Sequence, residues 1–261
     1  MHKILSTLSI MTILLTNIAY GAIMEGGITK SGEFSGNQVI DSTTSEPVSN
    51  ATVTLPMLQY KTYTDKNGTF HLGTKINGDT IMSVEKDGYR PYSITINEDS
   101  VNKPLIVGIE KSNATDISLE NNLLHLGDNN YSKGSANSGD FKVNGSGPMY
   151  TKTFKLTTTE ANKNYYLVIG SIIGIDTKIA RSMGQNRIRN SYSSPPEIFL
   201  NGEKIAEIHI NGDGQKIKLP FPHIKSNQEN NITIKTGKNM TQSAYTDYDD
   251  IELINLSIVS E

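Results

Sequence analysis

The sequence predicts an all-β protein made of two β-sandwich domains behind an N-terminal signal peptide. Three observations carry that expectation. Apolar residues recur at alternate positions in short runs, the spacing of a strand with one buried face. Clusters of Asn, Asp and Gly punctuate those runs at close intervals, supplying the positive φ angles that tight hairpins need. Sustained helical periodicity is missing: the best candidate, "DTKIARSMGQNRIRNSY", is interrupted by Gly184, Asn186 and Asn190, so a long loop with one turn of helix is expected there.

At 261 residues and 36% hydrophobic content, the chain has material for two separate cores. A net charge of -3 with no basic stripe leaves nothing to neutralise a phosphate backbone, so no nucleic-acid partner is expected. With no cysteine there can be no disulfide, zinc-thiolate site or cysteine nucleophile.

The opening stretch "MHKILSTLSIMTILLTNIAYGA" places Lys3 before an apolar segment from Ile4 to about Ile18. Ala19 and Gly21 follow with the spacing of a signal-peptidase cut. A signal peptide over residues 1–21 is expected. Ser6, Thr7, Ser9, Thr12, Thr16 and Asn17 interrupt a segment already short of the roughly 20 apolar residues that a membrane span needs. The mature chain is therefore expected to be secreted or periplasmic, without a membrane span.

From residue 36 to 111 the strands are short. "ATVTL" sets Ala51, Val53 and Leu55 on one face, "TFHL" sets Phe70 and Leu72, "SITI" sets Ile94 and Ile96, and "LIVGI" sets Leu105, Val107 and Ile109. Asp65-Lys66-Asn67-Gly68, Asn77-Gly78-Asp79 and Asp87-Gly88 mark the turns between them. Asp65 reads as a turn cap and His71 as solvent-facing. The motifs "GNQVIDSTTSEPVSNATVTL", "TYTDKNGTFHL" and "VEKDGYRPYSITI" resemble the carboxypeptidase regulatory-like domain, a transthyretin-like sandwich. That resemblance implies a module giving spacing, stability and occasional binding.

"SNATD" at residues 112–116 is a short polar joint between units expected to fold independently. From 117 to 261 the β pattern resumes. "KTFKL" alternates Phe154 and Leu156, "YYLVIGSII" has the continuous apolar character of a central strand, and Asn201-Gly202 marks a hairpin. "QKIKLPF", "NNITIKTG" and "DIELINLSIV" supply further strands. The motifs "HLGDNNYSKGSANSGDF", "IFLNGEKI", "NNITIKTG" and "DYDDIEL" resemble the galactose-binding-domain-like jelly roll shared by many carbohydrate-binding modules. That resemblance implies a calcium ion between the loop after the first strand and the last strand, with Asp128, Asp250 and Glu252 as ligands.

The chemistry of the residues is compatible with such an ion. Asp247, Asp249, Asp250 and Glu252 crowd the start of an apolar strand, and adjacent carboxylates need either water or a cation. The Gly-rich stretch "LGDNNYSKGSANSGD" offers oxygen donors suited to calcium, although turn-capping accounts for Asp and Asn there equally well.

A glycan is the expected ligand, because sugar recognition needs aromatic faces and planar polar groups on loops of a rigid scaffold. The candidates are Arg181, Arg187, Arg189, Tyr192, Tyr245 and Tyr248, with Gln185, Asn186, Tyr131 and His223 as further polar or aromatic groups. The absence of Trp weighs against the idea. The five His residues are scattered and no nucleophile elbow, zinc helix or phosphate loop occurs, so no enzyme is expected. The alternative is a surface or periplasmic protein that binds another protein and no sugar.

Overall fold

The computed structural model describes residues 36–129, 141, 143–157, 163–186, 193–221, 223–237 and 250–261. Within them the chain forms two antiparallel-rich sandwiches in sequence.

The N-terminal sandwich contains β1 (Asn37–Asp41), β2 (Thr52–Leu55), β3 (Tyr60–Tyr63), β4 (Thr69–Phe70), β5 (Thr80–Glu85), β6 (Tyr92–Ile96), the short helix α1 (Glu98–Val101) and β7 (Ile106–Ile109). One sheet has the order β4-β1-β7 and the other β3-β2-β5-β6. Alternation decides the faces: Ala51, Val53, Leu55, Phe70, Met82, Val84, Ile94, Ile96, Val107 and Ile109 meet in one apolar core. The β4 hairpin is built as the sequence suggests. Asp65 Oδ1 accepts from the amides of Asn67 and Thr69, and Gly68 adopts φ 71°. His71 is exposed, and the strand stops at Phe70, leaving Leu72 half-buried beyond it.

The C-terminal sandwich contains β8 (Ile117–Glu120), β9 (Leu124–Leu126), β10 (Met149–Lys155), β11 (Tyr165–Ile173), helix α2 (Lys178–Ser182), β12 (Glu197–Leu200), β13 (Glu203–Glu207), β14 (Gly212–Leu219), β15 (Glu229–Lys235) and β16 (Ile251–Ser260). The sheets run β10-β15-β12-β13 and β14-β11-β16-β8, with β9 also pairing β16. From β10 onward the chain changes sheet at every step except the β12–β13 hairpin, the connectivity of a jelly roll. Its interior is filled by Leu167, Ile169, Ile172, Ile198, Leu200, Ile232, Ile234, Leu253, Leu256 and Ile258, among others. The expected helical turn is α2, capped by Thr177, whose hydroxyl accepts from the Ala180 amide.

All ten residues of β16 are buried, which simple alternation does not give. The reason lies in the other sandwich: the outward faces of β5 and β6 cover the outer face of β11 and β16. Ile81 and Met57 meet Ile173, Ile254 and Phe141 in an apolar cluster across the seam. Around it the contacts are polar. Asp213 accepts from the Thr95 amide and hydroxyl, both at 3.0 Å, and from Ser171 Oγ at 2.6 Å. Asn255 Nδ2 donates to Ser83 Oγ at 2.8 Å. Arg90 Nε reaches Asp116 at 2.7 Å and its Nη1 reaches Glu110 at 3.0 Å, so the joint itself is gripped. The two units, each expected to fold on its own, meet along this seam. A Cβ on Gly170 would lie 2.3 Å from Ser93 Oγ and 2.8 Å from Asn255 Cβ, so the approach depends on that missing side chain.

Candidate functional site at one end of the C-terminal sandwich

Register places four connections at one end of this sandwich. Ile173 at the end of β11 pairs with Glu252 at the start of β16, Ile172 pairs with Gly212 at the start of β14, and Leu126 at the end of β9 pairs with Ile251. In the facing sheet Lys235 at the end of β15 pairs with both Met149 and Glu197, the first residues of β10 and β12. The connections β9–β10, β11–β12, β13–β14 and β15–β16 therefore all leave from the same end. Arg181, Arg187, Arg189 and Tyr192 belong to the second and Tyr245 and Tyr248 to the fourth.

At the base of this end the predicted carboxylates meet a partner that the sequence analysis passes over. Asp250 and Glu252 are buried, at 1% and 0% exposure, with His125 between them at 1%. His125 Nε2 lies 2.8 Å from Asp250 Oδ1, and its Nδ1 lies 2.5 Å from the Val143 carbonyl and 3.7 Å from Glu252 Oε1. Beside an ionised Asp250 both partners can only accept, an arrangement that favours the doubly protonated ring. Burial alone would favour the neutral ring. The bonds to Asp250 and Val143 and the nearby Glu252 charge outweigh it, and the His125 pKa is raised. The Phe141 ring packs against the imidazole at a centroid distance of 4.9 Å, shielding the group from water.

Asp250 also holds the loop after β9. Its Oδ1 accepts from the Asn129 amide at 2.8 Å. Gly127, with φ 136°, comes so close that a Cβ there would sit 2.5 Å from Asp250 Cγ, so any larger residue would separate the two segments. Val143 closes the box by donating its amide to Glu252 Oε1 at 3.3 Å. Asp250 Oδ2 is buried and has no hydrogen-bond partner.

The expected ligand sets fare differently. Asp128 is exposed, beside the buried Asp250, and among the described residues no three His, Asp or Glu side chains are arranged to share an ion. Asp250 Oδ2 and Glu252 Oε2 are buried carboxylate oxygens here that accept no hydrogen bond, the kind of oxygen that suits a cation. Of the sugar candidates, Arg181 is half-buried on α2, near the point where the chain leaves β11. Gln185 is tied to Asn211 through both amide atoms, at 2.9 Å each, and so is committed to structure. Asn186 is buried with neither amide atom partnered. His223 pairs with Glu203 at 2.7 Å, in the β14–β15 connection at the opposite end, and does not join Arg181. Arg187, Arg189, Tyr131, Tyr192, Tyr245 and Tyr248 lie outside the described residues, as do Asp247 and Asp249.

His125 was legible in one respect. It alternates with Leu124 and Leu126 in a strand, so it must point away from the face those leucines pack. What sequence cannot supply is that its register partner is Glu252, 127 positions later.

The fold defines an all-β protein of sandwich type. Comparison with known families adds that residues 34–120 match the CarboxypepD_reg-like domain, a stretch that holds the whole N-terminal sandwich and runs into β8. No curated protein matches the chain. Among solved structures, wild-type BuGH86 in complex with neoagarooctaose is similar over 72% of this chain and 28% of its own, at 10% identity and a TM-score of 0.29. A variant of the same protein with the same oligosaccharide gives 74%, 29%, 9% and 0.30. The chain thus spans less than a third of those structures, and likeness of that size carries no argument about ligand.

Proposed function

We propose that the protein is a non-catalytic carbohydrate-binding protein acting outside the cytoplasm, with a glycan held by the loop end of the C-terminal sandwich and calcium as a structural ion. The observation behind this reading is the convergence of four connections on one end of a rigid sandwich, with two of those connections fastened together through Asp250, His125 and Asn129. A preorganised end of this kind is where a scaffold holds ligand-binding loops. Buried polar atoms that make no hydrogen bond, among them Asp250 Oδ2, Glu252 Oε2 and the Asn186 amide, are a cost that a bound ion would offset at the carboxylates. Asp250 would be the buried calcium ligand, with Asp128 as an exposed one.

Binding to a glycan array, and its loss in Arg187→Ala and Tyr192→Ala, is the expected result. A silent array would overturn the glycan assignment. For the ion, adding EDTA is expected to lower Tm by roughly 5 °C, the scale for removing a tightly bound ligand from a chain of this size. An unchanged Tm would show that His125 alone neutralises the carboxylates.

A further inference from the structure

The C-terminal sandwich covers only half of the outward face of the β3-β2-β5-β6 sheet. Over β5 and β6 the outward residues Ile81, Ser83 and Ser93 are almost wholly buried in the seam. Over β2 and β3 they are open: Thr52 and Thr54 are half-buried and Lys61 is exposed, while Tyr63 is 55% exposed, large for a tyrosine in a strand. The result is a wedge-shaped cleft of about 480 Å³ between the sandwiches, floored by β2 and β3 and walled by β8, the 86–91 turn and the last residues of β16. That volume falls within the roughly 300–1,000 Å³ typical of small-ligand sites.

The register gives the floor its layout. Thr52 pairs with Tyr63 on one side and Glu85 on the other, so the three side chains stand in one row across three strands. At about 4.8 Å between strands the row is roughly 10 Å long, the reach of two sugar rings laid end to end. Opposite it, Asn121 donates to Glu85 Oε2 at 3.1 Å and accepts from Ser118 Oγ at 2.6 Å, fixing the carboxylate and the amide as a planar polar wall. Lys61 Nζ sits 5.2 Å from the Tyr63 ring centroid, steadying the ring at the mouth.

The charges of the cleft decide the ligand's class. The lining has two cations, Lys86 and Arg90, against three carboxylates, Glu85, Asp87 and Asp116. Arg90 is already spent on Asp116 and Glu110. The excess of carboxylates leaves no field to draw in a phosphate or a sulfate, while the polar surface is too continuous for an apolar ligand. A polyhydroxylated neutral molecule with one apolar face satisfies both conditions. We propose that this interdomain cleft is a binding site for a neutral oligosaccharide, with Tyr63 as the stacking platform and Asn50, Glu85 and Asn121 as the hydrogen-bonding rim.

The cleft shares the carbohydrate class with the proposed function but none of its residues, and it lies at the opposite end of β16. The test is isothermal titration calorimetry of the full chain with cellohexaose, maltohexaose, xylohexaose and agarohexaose, with hexagalacturonate as the charged control. At least one neutral hexasaccharide should bind. Tyr63→Ala should weaken it about tenfold or more without changing Tm, because the ring is exposed, while Tyr63→Phe should keep most of the affinity. Asn121→Ala should weaken it as well. Absence of binding to all four neutral probes, tighter binding of hexagalacturonate, or binding indifferent to Tyr63→Ala overturns the assignment. Binding lost in Arg187→Ala but kept in Tyr63→Ala locates the sugar at the loop end and overturns the cleft; the reverse pattern supports the cleft and counts against the loop end.

Discussion

The two faces of β16 are equally dry but differ in chemistry. Toward the sandwich interior stand Ile251, Leu253, Leu256 and Ile258, whose burial is favourable whatever their neighbours' orientation. On the other face, with Asp250 just ahead of the strand, stand Glu252, Asn255 and Ser257, interspersed with Ile254 and Val259. These polar groups are tolerable only when each meets a partner at the right distance and angle. The inner face therefore supplies most of the stabilisation. The outer face fixes where the second sandwich, Gly127, Asn129 and Val143 must sit, since a shift of an ångström would break its bonds and leave the inner face little changed.

The largest expected effect follows from that contrast. Asp250→Ala removes the carboxylate that faces the buried His125 ring and accepts from the Asn129 amide in one step. Breaking a buried ion pair on one side costs about 3–5 kcal/mol, and chemical denaturation should show a loss of that size. The triple change His125→Leu, Asp250→Leu and Glu252→Gln should cost less than Asp250→Ala, because no charge is then left buried without its opposite. If Asp250→Ala costs under about 1 kcal/mol, less than a buried pair should, the two faces of β16 do not differ as argued.

A middle-sized effect tests the seam. Gly170→Ala puts a methyl group against Ser93 Oγ and Asn255 Cβ, where the sheets have no slack. Overpacking of this kind costs about 1–3 kcal/mol. The loss should show as a lowered denaturation midpoint, with Ser93→Gly recovering part of it by clearing the nearest atom. Destabilisation that Ser93→Gly leaves untouched would place the strain within the C-terminal sandwich and away from the seam.

What the sequence reveals of all this divides along the same line. The inner faces were readable, because Ala51, Val53 and Leu55 or Phe154 and Leu156 alternate and are buried as that alternation requires. The Asp65 cap was readable because its partners lie two and four residues away. The approach of Gly127 and Asn129 to Asp250 was also in reach, through the jelly-roll resemblance. The burial of the outer face was not readable. In "DIELINLSIV" the polar residues look solvent-facing; the second sandwich makes Asn255 interior, and His125 and Val143 of the same sandwich cover Asp250 and Glu252. His125 escaped notice for a related reason: its role depends on a register with residues more than a hundred positions away, and local pattern has no record of that.

The smallest effect isolates a single residue of the outer face. Asn255 sits in the left-handed region at φ 57°, and that kink lets both Ile254 and Asn255 face the seam before Leu256 returns to the core. Its Nδ2 bonds Ser83, but its Oδ1 is buried without a partner. Asn255→Gly forfeits a hydrogen bond worth about 0.5–1.5 kcal/mol and removes an orphaned acceptor costing about 1–3 kcal/mol, while glycine accepts the backbone without strain. The terms oppose each other, so the expected change is within about 1 kcal/mol of zero. Asn255→Ala makes nearly the same side-chain change but forces a Cβ into the left-handed region, adding about 1 kcal/mol. The difference between the two variants in urea denaturation therefore measures the kink alone. A difference near zero would mean that β16 straightens when Asn255 is replaced, and that the seam tolerates it.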